Sequence, residues 1–283
     1  MMKLLDDIKL QLDNLDNIGF WIEDDKGNIV EHNSREKFET ASCIKVFILL
    51  EYFRQLKDRV RPRKDKLTYR KSDRAEGSGD LQYLNPDIEM TVGNFATLMM
   101  IRSDNSATNM MIDYLGIDNI NQTIREIGLK NTKLLNRIDF SKSCYVGIST
   151  PYESGLIFRK LLNYEVLNPE LCEEMLGILK KNQTRSIISK GLPLKDWLYA
   201  RKRGPLVYVA SKSGGLGGET YKEVSVRNDI GVISTTYGNL VVSVFVKNIK
   251  DPFFYDSNKG IIEGSKVIRL AYSSLIGNQG ALR

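Results

Sequence analysis

Residues 42–53 read Ser-Cys-Ile-Lys-Val-Phe-Ile-Leu-Leu-Glu-Tyr-Phe, and this stretch decides how the rest of the chain is interpreted. Its apolar run is too long for an ordinary strand and predicts a mostly buried helix. Ser42 and Lys45 are three positions apart, so they share one face of the first turn of that helix. The sequence therefore predicts a hydroxyl and an amine side by side at the start of a core helix.

The chain before this helix predicts a helix and two strands. Apolar residues recur at helical spacing through residues 3–15. Two apolar runs, Ile18–Ile22 and Ile29–Val30, flank the turn-forming residues 25–28, which is typical of a β-hairpin.

The middle of the chain predicts a series of helices. Apolar spacing, caps and first-turn prolines mark them at 91–102, 106–115 and 118–127, and from Thr150-Pro151 and Asn168-Pro169 onward. Between them, Leu129–Ser149 has weak periodicity and many polar residues. It predicts a long loop, and loops of that length inside compact domains are usually functional.

The C-terminal part predicts strands again. The β-rich runs are Leu206–Ala210, Ile230–Thr235 and Leu240–Val246, and a last helix covers about 259–276. Strands from both ends predict an α+β fold, an antiparallel sheet covered by helices with an inserted all-α subdomain. We expect one domain over 1–283, with an α/β subdomain at 1–41 plus about 200–283 and the all-α subdomain at about 42–199.

Composition narrows the function classes. The three cysteines, Cys43, Cys144 and Cys172, lack CxxC spacing, which argues against a disulfide framework and a zinc site. We expect no metal and no cofactor. No signal peptide and no membrane-spanning run is visible, so the sequence predicts a soluble, cytoplasmic protein without a membrane partner.

The net charge of +6 is concentrated in residues 57–74, but aspartates dilute this run and no nucleic-acid motif accompanies it. We expect a small-molecule substrate and no nucleic-acid partner. The sequence does not predict an oligomeric state.

Two further motifs accompany the serine-lysine pair. Ser103-Asp104-Asn105 stands between two apolar helical stretches, where a polar turn can aim side chains into a cleft. Lys212-Ser213-Gly214-Gly215 ends a β-rich run, where glycine lets a substrate backbone approach the strand. Each pattern alone is a weak signal. S-x-x-K, for example, also occurs at Ser34-Arg35-Glu36-Lys37.

The chemistry of the pair is that of an activated serine. A serine hydroxyl is a poor nucleophile until a base removes its proton, and a buried lysine with a lowered pKa can do so. His32 is the only histidine and lies beside the predicted hairpin, which disfavours a Ser-His-Asp triad. Cys43 is expected to be core packing.

In this order, S-x-x-K, S-D-N and K-[ST]-G form the signature of class A β-lactamases and penicillin-binding proteins, and the chain resembles that family along nearly its whole length. The stretches Glu76–Gly79, Met100–Asn109 and Arg227–Gly231 also carry the likeness. The resemblance implies that Ser42 is the nucleophile, that Lys45 helps remove its proton, and that Ser103 relays a proton to the leaving nitrogen.

The resemblance also implies an oxyanion hole and a substrate site. The backbone N–H groups of Ser42 and Gly215 would form the hole. The implied substrate-binding residues are Asn105, which would bind the substrate amide, Gly214, and Lys212, Ser213 and Arg227, which would bind its carboxylate. An arginine on the strand surface is the alternative interpretation of Arg227.

One departure from the family concerns deacylation. Class A β-lactamases carry a loop glutamate, in the pattern E-x-x-L-N, that activates the water releasing the acyl-enzyme. The corresponding stretch here is interpreted as Thr132–Arg137, with Thr132 at the glutamate position. Asp139 is the nearest carboxylate, and an exposed loop aspartate is the favoured interpretation of it.

The leading prediction is a serine hydrolase that opens a β-lactam or related amide through an acyl-Ser42 intermediate. The alternatives are a D-alanyl-peptide carboxypeptidase or esterase, a serine-dependent glutaminase, and a β-lactam sensor that acylates without turnover. Without the glutamate, we expect ready acylation and slow release of a β-lactam.

Overall fold

The computed structural model describes residues 2–142, 145–184, 186–193, 206–217, 225–251 and 253–275. The strands in this part of the chain are β1 (Ile18–Asp24), β2 (Ile29–His32), β3 (Phe38–Glu39), β4 (Lys66–Tyr69), β5 (Ile88–Thr91), β6 (Lys133–Leu134), β7 (Gly147–Ser149), β8 (Leu206–Leu216), β9 (Val226–Thr235) and β10 (Gly238–Val246).

Most of the described α-helices lie in the middle of the chain, and the first and the last lie near its ends. They are α1 (Met2–Leu10), α2 (Lys45–Lys57), α3 (Val92–Ile101), α4 (Asn105–Leu115), α5 (Ile117–Glu126), α6 (Pro151–Leu162), α7 (Pro169–Leu179), α8 (Ile187–Gly191) and α9 (Lys259–Leu275).

The main sheet has five antiparallel strands in the order β2-β1-β10-β9-β8. The first two strands in this order come from the N-terminal hairpin and the other three from the C-terminal part. The two parts join where β1 pairs with β10, from Ile18↔Val246 to Asp24↔Leu240. The α+β fold class with an antiparallel sheet is therefore confirmed. The division into two subdomains stays a prediction, and its boundary near residue 200 lies outside the described residues.

Side chains alternate between the two faces of this sheet. Phe20 and Ile22 on β1 belong to a core cluster that includes Ile8 of α1 and Ile268 of α9. Trp21, between them in sequence, belongs to the larger cluster on the opposite face, which includes residues of α2 and α6. Helices thus cover both faces, and α2 is buried between the sheet and the other helices, as its apolar run predicts.

Several predicted boundaries move by a few residues. The first helix ends at Leu10 rather than 15, because Asn14 caps a separate 3-10 turn at Leu15–Asn17. The predicted helix starts at Thr150 and Asn168 are confirmed, since each side chain caps its helix and proline follows.

The predicted long loop, Leu129–Ser149, contains two short strands. β7 pairs with β6 and also with β3, the strand just before Ser42. This small sheet attaches the loop to the segment that carries Ser42. Cys144 of this loop lies outside the described residues.

The described helices give no candidate for a membrane span, since none combines the necessary length with the necessary apolar character.

Candidate active site

Ser42 lies in a 3-10 turn, Ala41–Ile44, that leads directly into α2. The residue before it, Ala41, has a φ of +44°, in the left-handed region. That conformation costs a residue with a Cβ on the order of 1–2 kcal/mol, so the surrounding structure must hold it in place. The turn that carries Ser42 is therefore a strained segment fixed by its neighbours.

Gly214 lets strand β8 lie directly against this turn. A Cβ at Gly214 would lie 2.5 Å from the Thr40 carbonyl oxygen and 2.9 Å from the backbone nitrogen of Ser42. The next residue, Gly215, lines the same cavity as Ser42. The close approach puts two backbone segments side by side, and an oxyanion hole made by the N–H groups of Ser42 and Gly215 stays a prediction.

Lys45 is fully buried and its Nζ donates three hydrogen bonds. The acceptors are the Ser103 carbonyl oxygen at 2.7 Å, Ser103 Oγ at 3.1 Å and Asn105 Oδ1 at 2.9 Å. Burial, and then repulsion from the Lys212 ammonium, hold the pKa of Lys45 well below its usual value. A lysine with a lowered pKa can reach its neutral form and accept a proton.

Ser103 joins the two buried lysines of the site. Its hydroxyl oxygen accepts hydrogen bonds from Lys45 Nζ and from Lys212 Nζ, each at 3.1 Å. Burial lowers the pKa of Lys212 to about 8, against the raising effects of Cys43 and Asp229. Two incoming N–H donors use both lone pairs of a hydroxyl, so its own proton can point to a third group. This is what a proton relay to a leaving group needs.

Asn105 is held on both sides of its amide. Its Oδ1 accepts from Lys45, and its Nδ2 donates to the Glu76 carbonyl oxygen at 2.7 Å. Asp104 caps α4 by accepting a hydrogen bond from Ala107 N at 2.8 Å. Its other carboxylate oxygen accepts a hydrogen bond from Asp80 N at 2.7 Å. The S-D-N turn is thus a rigid support that keeps one Nδ2 hydrogen of Asn105 available to a ligand.

Several of these residues line a cavity of about 680 Å³. Ser42, Lys45, Asn105 and Gly215 contribute its reactive groups. The polar residues Glu76, Ser78 and Ser141 also line it, and its apolar lining residues are Ala41, Ile138, Phe140, Val146, Leu216 and Phe254.

A sequence model described as the β-lactamase enzyme family matches residues 4–269. The chain belongs to the β-lactamase enzyme family.

Relatives in this family include hydrolases of two kinds. The chain is 25% identical to the β-lactamase BRO-1 of Moraxella catarrhalis, over 66% of this chain and 61% of that protein. It is 29% identical to the D-alanyl-D-alanine carboxypeptidase DacF of Bacillus subtilis (strain 168), over 51% of this chain and 38% of that protein. The chain therefore spans less than two thirds of the length of either relative.

The solved structure of PBP-A is similar to this chain with a TM-score of 0.81 and 26% identity, covering 97% of this chain and 96% of PBP-A. A mutant of PBP-A, solved as an acyl-enzyme complex with penicillin G, gives the same TM-score and identity. The family assignment and the hydrolase fold therefore agree with the motifs in the sequence.

Within this β-lactamase-family site, the placement of Thr132 differs from the sequence interpretation. Thr132 is buried away from the cavity lining, and its Oγ1 donates to Glu153 at 2.6 Å. Ile138, six residues later, lines the cavity with Ser42 and Lys45. Asn109 fixes its backbone through two hydrogen bonds of 2.8 Å. The loop position on the cavity wall with Ser42 is therefore occupied by isoleucine, and the interpretation of Thr132 as that position is wrong.

Asp139 does not reach this β-lactamase-family cavity. It is half-buried, accepts from Ser141 Oγ at 2.6 Å and pairs with Lys142 at 3.1 Å. The Ser141 hydrogen bond, followed by Lys142, lowers the pKa of Asp139. It lines a neighbouring cavity, which shares Ile138 and Phe140 with the first.

Arg227 has partners other than the predicted carboxylate. It is buried and donates to the carbonyl oxygens of Leu216 at 2.8 Å, Val226 at 2.7 Å and Phe253 at 2.6 Å. The Phe254 ring lies 4.0 Å from its guanidinium carbon. The contact of Arg227 with a substrate carboxylate stays a prediction.

Lys212 and Ser213 are also buried, and neither is among the described residues that line the cavity. Ser213 Oγ donates to the Thr184 carbonyl oxygen at 3.4 Å. Lys212 Nζ donates to Ser103 Oγ, and Ser103 is likewise not among the described lining residues. Direct contact of either side chain with a substrate carboxylate stays a prediction.

Cys43 donates from its Sγ to the Lys212 carbonyl oxygen at 3.2 Å, and burial raises the pKa of its thiol. It is a packing residue, as the sequence predicts. Among the described residues, no group of three or more His, Cys, Asp or Glu side chains could hold a metal ion.

The apolar side of the cavity was not predicted from the sequence. Ile138 and Phe140 lie in the loop without periodicity, and Phe254 lies between the last strand and the last helix. No local motif marks such residues, because only the folded chain brings them to the nucleophile. The Asn109 side chain that fixes Ile138 was visible as a polar residue in a helical stretch.

Proposed function

We propose that this β-lactamase-family hydrolase forms an acyl-enzyme with β-lactams at Ser42 and releases it slowly, as a penicillin-binding enzyme does. The observation that carries the proposal is the pairing of an intact acylation set with Ile138 on the cavity wall. The site has a nucleophile, a buried lysine and a proton relay. The loop position beside them bears a side chain that cannot activate water.

In the acylation step, the Ser42 oxygen forms a bond to the carbonyl carbon while neutral Lys45 accepts the hydroxyl proton. The carbonyl oxygen becomes negative and is stabilised by the N–H groups of Ser42 and Gly215. As the carbon–nitrogen bond breaks, Ser103 donates its proton to the nitrogen. Lys45 returns a proton to Ser103, so the charges balance.

In the deacylation step, a water molecule would have to lose a proton near Ser42. The carboxylate side chain among the described lining residues is Glu76, which is exposed. Ile138, Phe140 and Val146 offer no acceptor. A general base contributes about 10²–10⁴-fold to such a step, so its absence implies a long-lived acyl-enzyme.

A second candidate is a D-alanyl-peptide carboxypeptidase, favoured by the similarity to DacF. The same acylation set would serve an amide between D-amino acids. Glutaminase has less support, because the relatives BRO-1 and DacF are a β-lactamase and a D-alanyl-D-alanine carboxypeptidase.

Intact-mass spectrometry with benzylpenicillin tests the proposal. We expect wild-type protein to gain the mass of the drug and keep it, and Ser42→Ala to gain none. Rapid drug hydrolysis by wild type would contradict slow release, and an adduct on Ser42→Ala would contradict the nucleophile. If wild type gains no adduct and hydrolyses no drug, the β-lactam function is wrong, and D-alanyl peptides and glutamine become the substrates to compare.

A further inference from the structure

Glu39 is a partly buried carboxylate three residues before Ser42 that the acylation chemistry does not use. It lies on β3 and pairs with Ile148 of β7. The small sheet formed by these strands connects the Ser42 turn to the wall of the cavity.

One oxygen of Glu39 collects backbone N–H groups from two segments. Oε1 accepts from Ala41 N at 3.3 Å, from Val146 N at 3.1 Å and from Gly147 N at 3.5 Å. Ala41 is the residue with a φ of +44° directly before the nucleophile, and Val146 lines the cavity. The carboxylate therefore joins the strained turn to the cavity wall.

Backbone contacts of the same segment continue the connection. Thr40 N donates to the Gly147 carbonyl oxygen at 2.9 Å, and Asn228 Nδ2 on β9 donates to the Glu39 carbonyl oxygen at 2.8 Å. Glu39 thus stands where the turn, the loop and the main sheet meet.

The orientation of the Ser42 N–H depends on this connection. The peptide between Ala41 and Ser42 carries that N–H, and its plane is set by the backbone angles of Ala41. A left-handed alanine persists only where its surroundings fix it. The hydrogen bond from Ala41 N to Glu39 acts at that same residue.

We propose that Glu39 is a positioning residue for acylation, whose carboxylate fixes the Ala41–Ser42 peptide so that the Ser42 N–H is aimed at the oxyanion. This inference rests on the proposed function, because it requires Ser42 to be the acylated nucleophile.

The protonation state of Glu39 gives the proposal a distinctive readout. Burial raises the pKa of Glu39 to about 7, against the lowering effect of the three backbone N–H groups. Its second oxygen, Oε2, is buried without a hydrogen-bond partner among the described residues. The ionised carboxylate is the stronger acceptor for N–H donors, so positioning improves as the pH rises through 7.

Other titratable groups on the elements around Glu39 are Lys133 on β6, which pairs with the same Ile148 as Glu39, Arg227 and Asp229 on β9, and Lys45 at the start of α2. Lys45 also loses its proton as the pH rises, so the wild-type profile alone cannot separate the two groups. A variant at Glu39 removes one contribution and leaves the other.

The test compares wild type with Glu39→Gln and with a control variant, Glu36→Gln. Glu36 is an exposed glutamate three residues before Glu39 in the chain. The second-order rate of acylation by benzylpenicillin is measured from about pH 5 to pH 9, together with thermal unfolding. Loss of one oxyanion donor costs about 10²–10³-fold, so its misorientation should cost Glu39→Gln about tenfold at high pH. This variant should also lose the inflection near pH 7 that Glu36→Gln keeps.

Folded Glu39→Gln protein that acylates at the wild-type rate with the wild-type pH profile would overturn the positioning role alone. A uniform loss of rate with the inflection retained would also overturn it, since that result indicates general damage. Wild-type protein that never acylates would overturn the proposed function and this inference with it.

Discussion

Placing a carboxylate at position 138 should convert slow release of the acyl-enzyme into turnover. Ile138 lines the cavity with Ser42, and Asn109 holds its backbone by hydrogen bonds in both directions. In Ile138→Glu, the added carboxylate would start from a fixed backbone position. It could then accept a proton from a water molecule beside the acyl carbonyl, which is the role the apolar wall now leaves unfilled.

The expected gain follows from the size of general-base catalysis. A positioned base contributes about 10²–10⁴-fold, and a base installed without further adjustment should reach the lower end, about 10²-fold in the deacylation rate. Ile138 is 6% exposed, so its replacement also loses about 1.5–3 kcal/mol of apolar burial. Acylation should change little, since Lys45 and Ser103 are untouched.

The assay is the lifetime of the benzylpenicillin adduct by intact mass, with thermal unfolding measured in parallel. Ile138→Gln is the matched control, because glutamine has nearly the same shape and polarity as glutamate but cannot act as a general base. Adding Asn109→Ala to Ile138→Glu should remove most of the gain. Equal adduct lifetimes for folded Ile138→Glu and Ile138→Gln would refute the assignment of position 138 as the deacylation position.

Two further predictions concern stability and close packing. Burial raises the pKa of Asp229 to about 7, so its folded form holds a proton that the unfolded form has already lost. Asp229 contributes stability to the folded state, and this contribution is fully present below the unfolded pKa. The contribution is about 4 kcal/mol at 1.36 kcal/mol per pKa unit, and it is lost as the pH rises to about 7. Asp229→Asn should therefore flatten the fall in melting temperature between about pH 4 and pH 7, and an unchanged slope would contradict it. Gly214→Ala should lower both the melting temperature and the acylation rate, because its Cβ would lie 2.5 Å from the Thr40 carbonyl oxygen. If mass spectrometry shows that Gly214→Ala acylates at the wild-type rate, β8 need not lie so close to the turn.

Much of the fold was predictable because its signals are local. The caps at Thr150 and Asn168 act within a single helical turn, and the apolar run after Lys45 shows its burial directly. The strand β8 was predicted to stop at Ala210 but continues to Leu216. Polar and glycine residues weaken the strand pattern there, and pairing with β9 decides it.

By itself, the sequence determined the family and the fold class and predicted which residues form the acylation set, because S-x-x-K, S-D-N and K-S-G are short motifs whose members lie within one turn or strand. Only the tertiary structure decided how these motifs meet. The shared contact of Lys45 and Lys212 with Ser103 joins residues more than a hundred positions apart. Tertiary packing also put Ile138 rather than Thr132 on the cavity wall and occupied Arg227 with backbone carbonyls. Contacts of this kind depend on loop paths and side-chain packing across the whole chain, for which no local pattern of residues exists.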